Sequence, residues 1–265
     1  MKHAIIFTIT GKHTADQLAE ADLSTYHCQA PTGQQWSTWG LKPSEDFDPK
    51  CFMVERHERV LPGAVINREA ELRFAAYENQ TGRKPGKKAR AEVKSAVVED
   101  LLPQAFIRVS HIAVTIAHGL LIIWTSSIPK SDEVVSLIVG MLNHLGIPAK
   151  IEFKPLKPGL EVIALGKHEA LLPGNSAVLS GADKQKVRIK ALPVESHRVQ
   201  PLIEVDGYKV NEIEVTLGED SCTLTDKGIV KAMTLKAGDR EDQAGVWLAI
   251  DFIKRLVDTV DEDEL

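Results

Sequence analysis

The sequence predicts an α+β fold with antiparallel sheets, and three observations carry that reading. Segments with apolar residues at helical spacing interleave with segments of alternating, β-branched character. Neighbouring β-rich segments are joined by turns too short for the crossover that a parallel pair needs. The chain has 265 residues, 43% hydrophobic and 26% charged, which suits a folded chain of one large or two modest domains. The expected organisation is an N-terminal α+β region over 1–146, a connecting region over 147–180, and a β-rich region over 181–265 with a closing C-terminal helix.

The elements follow in chain order. Ile5 to Ile9 reads as a strand. Thr14 with Gln17 three residues later has the form of a capping box opening a helix to about Leu23. Residues 29–50, rich in Gly, Pro, Ser and Asp, read as a long connection, and Cys51 to His57 alternates as a strand. Pro62 suits the first turn of a helix to about Glu78, with Gly82 just past its end. A second helix over Lys87 to Leu102 has Val93, Ala96, Val97 and Leu101 on one face. Together these make a helical hairpin over about 62–102, long enough to protrude from a sheet. Arg108–Ala117 and Leu120–Ser126 flank His118-Gly119 as a two-residue β-hairpin. Ser131 opens a helix ended by Gly146. Four later segments read as strands: 187–192, 208–217, 221–225 and 229–235. From Gly238 a long helix carries Val246, Ile250, Ile253, Leu256 and Val257 as its buried stripe.

No apolar stretch reaches the length of a membrane span, and no secretory signal is read at the start. Three widely spaced cysteines, Cys28, Cys51 and Cys222, suit reduced thiols in a cytoplasmic protein. The formal net charge is −5, and residues 258–265 contain five acids and no base. The rest of the chain therefore balances, yet its charges are segregated. Arg83, Lys84, Lys87, Lys88, Arg90 and Lys94 crowd the hairpin turn and the start of its second helix against Glu92 alone. Lys184, Lys186, Arg188 and Lys190 recur at spacing two, which puts them on one face of a strand. Glu204 to Asp220 holds six acids against Lys209. Local basic patches bind polyanions regardless of net charge, because screening confines each charge to about 8 Å. Taken alone, such runs read as solvated helix faces.

Catalytic motifs are sparse. There is no C-x-x-C, H-E-x-x-H, G-x-S-x-G or phosphate-binding loop, so neither metal nor cofactor is expected. His27-Cys28 and Cys51 with His57 read as structural thiols and surface imidazoles. Glu152-Phe153-Lys154 is an E-x-K of the kind that holds a divalent ion and steadies water in metal-dependent nucleases. Glu212 and Glu214 read as a solvated strand face.

Several motifs then fall in a recognisable order: Arg59-Val60-Leu61-Pro62, Gly82-Arg83-Lys84, Lys87-Lys88, Leu101-Leu102-Pro103-Gln104-Ala105-Phe106 and His118-Gly119-Leu120. They resemble the recombination-associated protein RdgC family, most specifically from about Glu58 to Leu145. Gly40-Leu41-Lys42-Pro43 and Ala182-Asp183-Lys184-Gln185 resemble it more distantly, and Gln104 stands where the family commonly has arginine. The resemblance implies a non-enzymatic, nucleoid-associated protein: a ring-shaped homodimer that encircles double-stranded DNA without sequence preference and limits access of the RecA recombinase. It implies that Arg83 and Lys84 sit on a protrusion facing DNA, with Phe106 at one subunit contact and Lys184 and Gln185 at or near the other. Lys87, Lys88, Arg90, Lys94, Lys186 and Arg188 complete the expected DNA-binding set. Two other classes stand beside this one: a nuclease using Glu152 and Lys154, and a protein-interaction module acting on the recombinase.

Overall fold

Helices and antiparallel strand pairs interleave along the chain, and the result is an α+β fold of two compact units. The structure is a computed structural model that describes residues 2–11, 14–44, 48, 50–183, 185–194, 196–236 and 243–262. The larger unit comprises 1–20, 48–51 and 113–265, and the smaller comprises 21–47 and 52–112.

In the larger unit, β1 (Ile5–Thr10) pairs antiparallel with β5 (Leu120–Ile123) on one side and β6 (Lys150–Phe153) on the other. β4 (Phe106–Ala117) supplies its C-terminal end as the next partner of β5. The β4–β5 turn is the predicted one: Ala117 faces Leu120, and His118 and Gly119 have φ of 53° and 73°. Two consecutive positive φ values match the right-handed twist of the flanking strands. A second sheet has the order β11-β10-β9-β7-β8, formed by β7 (Leu172–Ser180), β8 (Lys186–Ile189), β9 (Lys209–Leu217), β10 (Asp220–Thr225) and β11 (Val230–Thr234). Residues 147–180 thus contribute β6, the short helix α5 (Leu160–Ala164) and all of β7 to this unit.

A large apolar cluster joins the two sheets of the larger unit to its C-terminal helix. Ala4, Ile6, Leu120 and Ile122 join Leu179, Ile213, Val215 and Leu224 of the second sheet and Ile250, Phe252, Ile253, Leu256 and Val257 of α7 (Gln243–Glu262). The expected stripe of α7 is buried, and Val246 packs at its margin. The helix α1 (Thr14–Glu20) starts where expected, but Thr14 Oγ1 donates to the Gly11 carbonyl instead of capping an amide. The next long helix, α4 (Ile128–His144), begins three residues before Ser131, with Pro129 in its first turn and Ser131 Oγ donating to the Ile128 carbonyl. Its buried Val134, Ile138, Met141 and Leu142 lie at helical spacing. A short helix, α6 (Gln200–Glu204), precedes β9.

In the smaller unit the strand order is β2-β3-β4, with β2 (Ser37–Leu41) inside the stretch expected to be a connection. Its partner β3 (Cys51–Val60) runs three residues beyond the predicted end. The helices α2 (Gly63–Thr81) and α3 (Lys87–Leu101) pack as a hairpin around Ala70, Phe74 and Val97, flanked by Ile66, Val93 and Leu101. Gly82 ends α2 in the left-handed conformation at φ 68°, where a side chain is disfavoured, and its amide donates to the Glu78 carbonyl.

Candidate nucleic-acid interface

The hairpin turn owes its position to ordinary helix-ending chemistry. Glycine lets α2 stop at Gly82, Thr81 Oγ1 lies 2.8 Å from the Tyr77 carbonyl, and Pro85 is buried ahead of α3. The Arg90 amide donates to the Gly86 carbonyl and its Nε to that of Pro85, while the guanidinium stacks 5.3 Å from the Phe74 ring centroid. Arg90 therefore helps build the turn. Lys94 likewise reaches across to Asn67 Oδ1 at 3.0 Å. What remains at the tip is Arg83, Lys84, Lys87 and Lys88, all exposed. Among the described residues the side chains of Arg83, Lys84 and Lys87 make no ion pair, and Lys88 only approaches Glu92 at 3.9 Å.

Several of the acids that the sequence gathers are paired with bases in space. The acidic stretch 204–220 meets bases from other elements: Glu204 pairs with Lys167, Glu212 with Lys231, Glu219 with Lys236 and Asp220 with Arg255. Glu214 accepts from the Asn175 amide and the Ser176 hydroxyl. Asp258 pairs with Lys254, and Asp261 with Lys154.

The second basic row is placed differently from the first. β8 is an edge strand, and Lys186, Arg188 and Lys190 line one groove with Glu212, Asp226 and Lys227. Register explains the mixture, since Val178 faces Arg188 on one side and Glu212 on the other. The row is therefore a groove of mixed sign with an excess of bases. Gln185 accepts from the Tyr208 hydroxyl at 3.4 Å, while Lys184 lies outside the described residues.

Phe106 opens β4 with 87% of its surface exposed, followed by Ile107 at 42% and Val109 at 46%. The core alternative for Phe106 is thereby excluded. A run of exposed large apolar residues at the start of a strand is a cost in water and suits contact with another surface. Arg108, between them, is tied back to Glu58, which also pairs with Arg56 at 3.1 Å.

The Arg59-Val60-Leu61-Pro62 motif has a structural role. Arg59 is buried, and its guanidinium donates to the Leu102 carbonyl at the end of α3 and to the Pro31 carbonyl at 2.6 Å. It thus ties β3 to the exit of the hairpin and to the segment before β2.

The nuclease residues do not converge. Lys154 is held by Asp261, and Glu152 pairs with Lys150 at 2.7 Å. Among the described residues no further acid or imidazole joins Glu152 in a metal-holding group. His57 is also not where the sequence reading put it. It is half-buried beside Cys28 and Glu55, while Cys51 accepts from the Thr115 hydroxyl at 3.9 Å. The signal available in the sequence was Glu55, His57 and Arg59 at spacing two, a polar row on one face of β3 that needed a cover.

Comparison with known proteins gives a consistent family. Residues 1–246 match the family described as "Putative exonuclease, RdgC". The chain is 31% identical over 150 residues to the recombination-associated protein RdgC of Pseudomonas aeruginosa, covering 55% of this chain and 48% of that protein. It is 36% identical over 114 residues to the protein of that name from Xanthomonas campestris pv. campestris, covering 42% and 37%. It is 30% identical over 142 residues to that of Neisseria meningitidis serogroup C, covering 49% and 46%. Each alignment spans about half or less of the curated relative it matches.

Proposed function

Because the chain belongs to the RdgC family, we propose that it is a recombination-associated, double-stranded-DNA-binding protein. It acts as a ring-shaped homodimer that encircles the duplex in the nucleoid and limits access of RecA. One observation carries the reading. Among the described residues Arg83, Lys84 and Lys87 stand exposed at the hairpin tip without ion pairs, while Glu204, Glu212, Glu219 and Asp220 of the acidic stretch each pair with a base from another part of the chain.

Duplex DNA presents a charge about every 1.7 Å of axis, and cations that meet phosphates release condensed counterions. Arginine and lysine on flexible stems do this without reading base edges, so binding is independent of sequence. A two-fold dimer uses each patch twice, doubling the tip cations and the excess of bases along β8 around one duplex. In this reading the α2–α3 hairpin projects toward the DNA. Phe106 with Ile107 and Val109 supplies one subunit contact, and Lys184 and Gln185 lie at or near the other. Closure then slows escape, since the duplex leaves only through an opened interface or over a free end.

The function is one of binding without catalysis. The separate engagement of Glu152 and Lys154 supports that choice over the nuclease suggested by the family description. No helix among the described residues is long and apolar enough to cross a membrane.

The test is binding to linear and relaxed circular duplex across a salt series with Mg²⁺ present, with oligomeric state followed by sedimentation. The expected result is a dimer that retains both forms, with affinity falling steeply in salt and dissociation slower from the circle. Degradation of the linear DNA moves the assignment to the nuclease. Absence of retention at low salt moves it to a protein-interaction module.

A further inference from the structure

Gly40 lets two segments of the smaller unit approach more closely than any other residue allows. A Cβ at Gly40 would lie 2.5 Å from the backbone of Cys28 and 2.7 Å from the Tyr26 carbonyl. The Cys28 amide donates to the Leu41 carbonyl at 2.9 Å, so the chain at 26–29 lies close over β2. In the β2–β3 register Gly40 faces Glu55 and Thr38 faces His57. The crossing therefore brings the Cys28 thiol to the polar face of β3.

The outcome is a group of three different donors. Cys28 Sγ, a Glu55 carboxylate oxygen and a His57 ring nitrogen all lie within 4.8 Å of one another. Cys28 and Glu55 are buried, and the His57 side chain is 18% exposed. His111 on β4 joins from the other side, its Nε2 2.8 Å from Glu55 Oε1. Two features of this cluster are unexplained by protein contacts. His57 Nδ1 is buried without a hydrogen-bond partner. The buried Glu55 carboxylate has no Lys or Arg ion pair among the described residues; its partners are two imidazoles, His57 at 3.3 Å and His111 at 2.8 Å.

We propose that Cys28, Glu55 and His57 form a binding site for one divalent transition-metal ion of the zinc type, with His111 orienting the carboxylate. Thiolate and imidazole select a borderline-soft ion, whereas magnesium and calcium prefer oxygen donors throughout. Metal–ligand bonds of about 2.0–2.3 Å place tetrahedral ligands about 3.3–3.7 Å apart, so the three donors close in by roughly 1 Å on loading. A divalent ion facing one thiolate and one carboxylate gives a neutral buried site, and water completes the tetrahedron. His111 on the second carboxylate oxygen is the outer partner that fixes ligand orientation. In the apo protein burial pushes the Cys28 thiol up, and the ion displaces its proton on binding. Loading staples the segment carrying Cys28 to β3, at the strand whose Arg59 holds the exit of the hairpin.

The experiment is titration of metal-stripped, reduced full chain with Co²⁺, then displacement by Zn²⁺. The expected signal is a thiolate-to-cobalt charge-transfer band with visible bands of tetrahedral intensity. It saturates at one ion per chain and is abolished by zinc. Cys28→Ser and His57→Gln lose the band, whereas Cys51→Ala and Cys222→Ala keep it. His111→Ala keeps it with affinity lowered about 10- to 100-fold. If Cys28→Ser does not fold, zinc protection of Cys28 from alkylation in the wild-type chain reads the same contact. A wild-type chain without the sulfur band, a band surviving in folded Cys28→Ser, or a band lost with Cys51→Ala overturns the proposal.

Discussion

Removing the charge of the hairpin tip isolates the electrostatic term on which DNA binding rests. Arg83→Gln, Lys84→Gln and Lys87→Gln together delete three exposed cations that make no ion pair among the described residues. Each phosphate contact contributes about 0.9 to the slope of log affinity against log salt. Three contacts per protomer therefore remove about 2.7 from the slope, and about 5 from that of a dimer on one duplex. From 50 to 200 mM salt, a slope difference of about 5 amounts to roughly a thousandfold. The triple variant should bind more weakly at low salt and converge on the wild type as salt rises, equally for duplexes of unrelated sequence. Because the tip side chains are exposed and unpaired, the melting midpoint should change by less than about 0.5 kcal/mol equivalent. Fluorescence anisotropy on two unrelated duplexes over a salt series measures both slope and sequence dependence. An unchanged slope, or a loss confined to one sequence, refutes the reasoning.

Three further outcomes follow from individual side chains. Phe106→Ala should weaken the dimer about 30- to 1,000-fold, the effect of truncating an aromatic anchor worth about 2–4 kcal/mol, while leaving the monomer melt unchanged because the ring is 87% exposed; an unaltered sedimentation profile over a dilution series contradicts it. Arg59→Met should cost about 3 kcal/mol in a denaturant melt, since the buried guanidinium bridges the Leu102 and Pro31 carbonyls; a loss below about 1 kcal/mol removes Arg59 from the hairpin's support. Burial pushes the Cys222 thiol up to about 12 from an ordinary 9.0. The native state then holds a proton that the unfolded chain releases, so stability falls from about pH 9 toward pH 12 by up to about 1.4 kcal/mol per unit. Cys222→Ala should flatten that limb of the stability profile, and an identical profile counts against the burial argument.

Local order was legible wherever short-range chemistry decides it. Gly82, the His118-Gly119 turn and the α7 stripe are each set by neighbours a few residues away, and each stands where periodicity and turn chemistry put it. β2 was hidden because its five residues carry too little alternation to stand out from a Gly- and Pro-rich stretch. Its pairing to β3 depends on residues more than ten positions away.

The chain's amino acids by themselves determined which residues are charged, where helices stop and which faces are apolar, because backbone sterics and side-chain period act over one or two turns. Only the tertiary structure decided which charges remain unpaired. Lys154, Glu204, Glu212, Glu219 and Asp220 found partners across the fold, whereas Arg83, Lys84 and Lys87, at the end of a hairpin, make no ion pair among the described residues. Tertiary structure also decided that Cys28 meets Glu55 and His57, since their approach depends on a glycine in a third segment that leaves the space open. Coulomb and packing energies depend on distance in space, and the linear order of residues does not specify that distance.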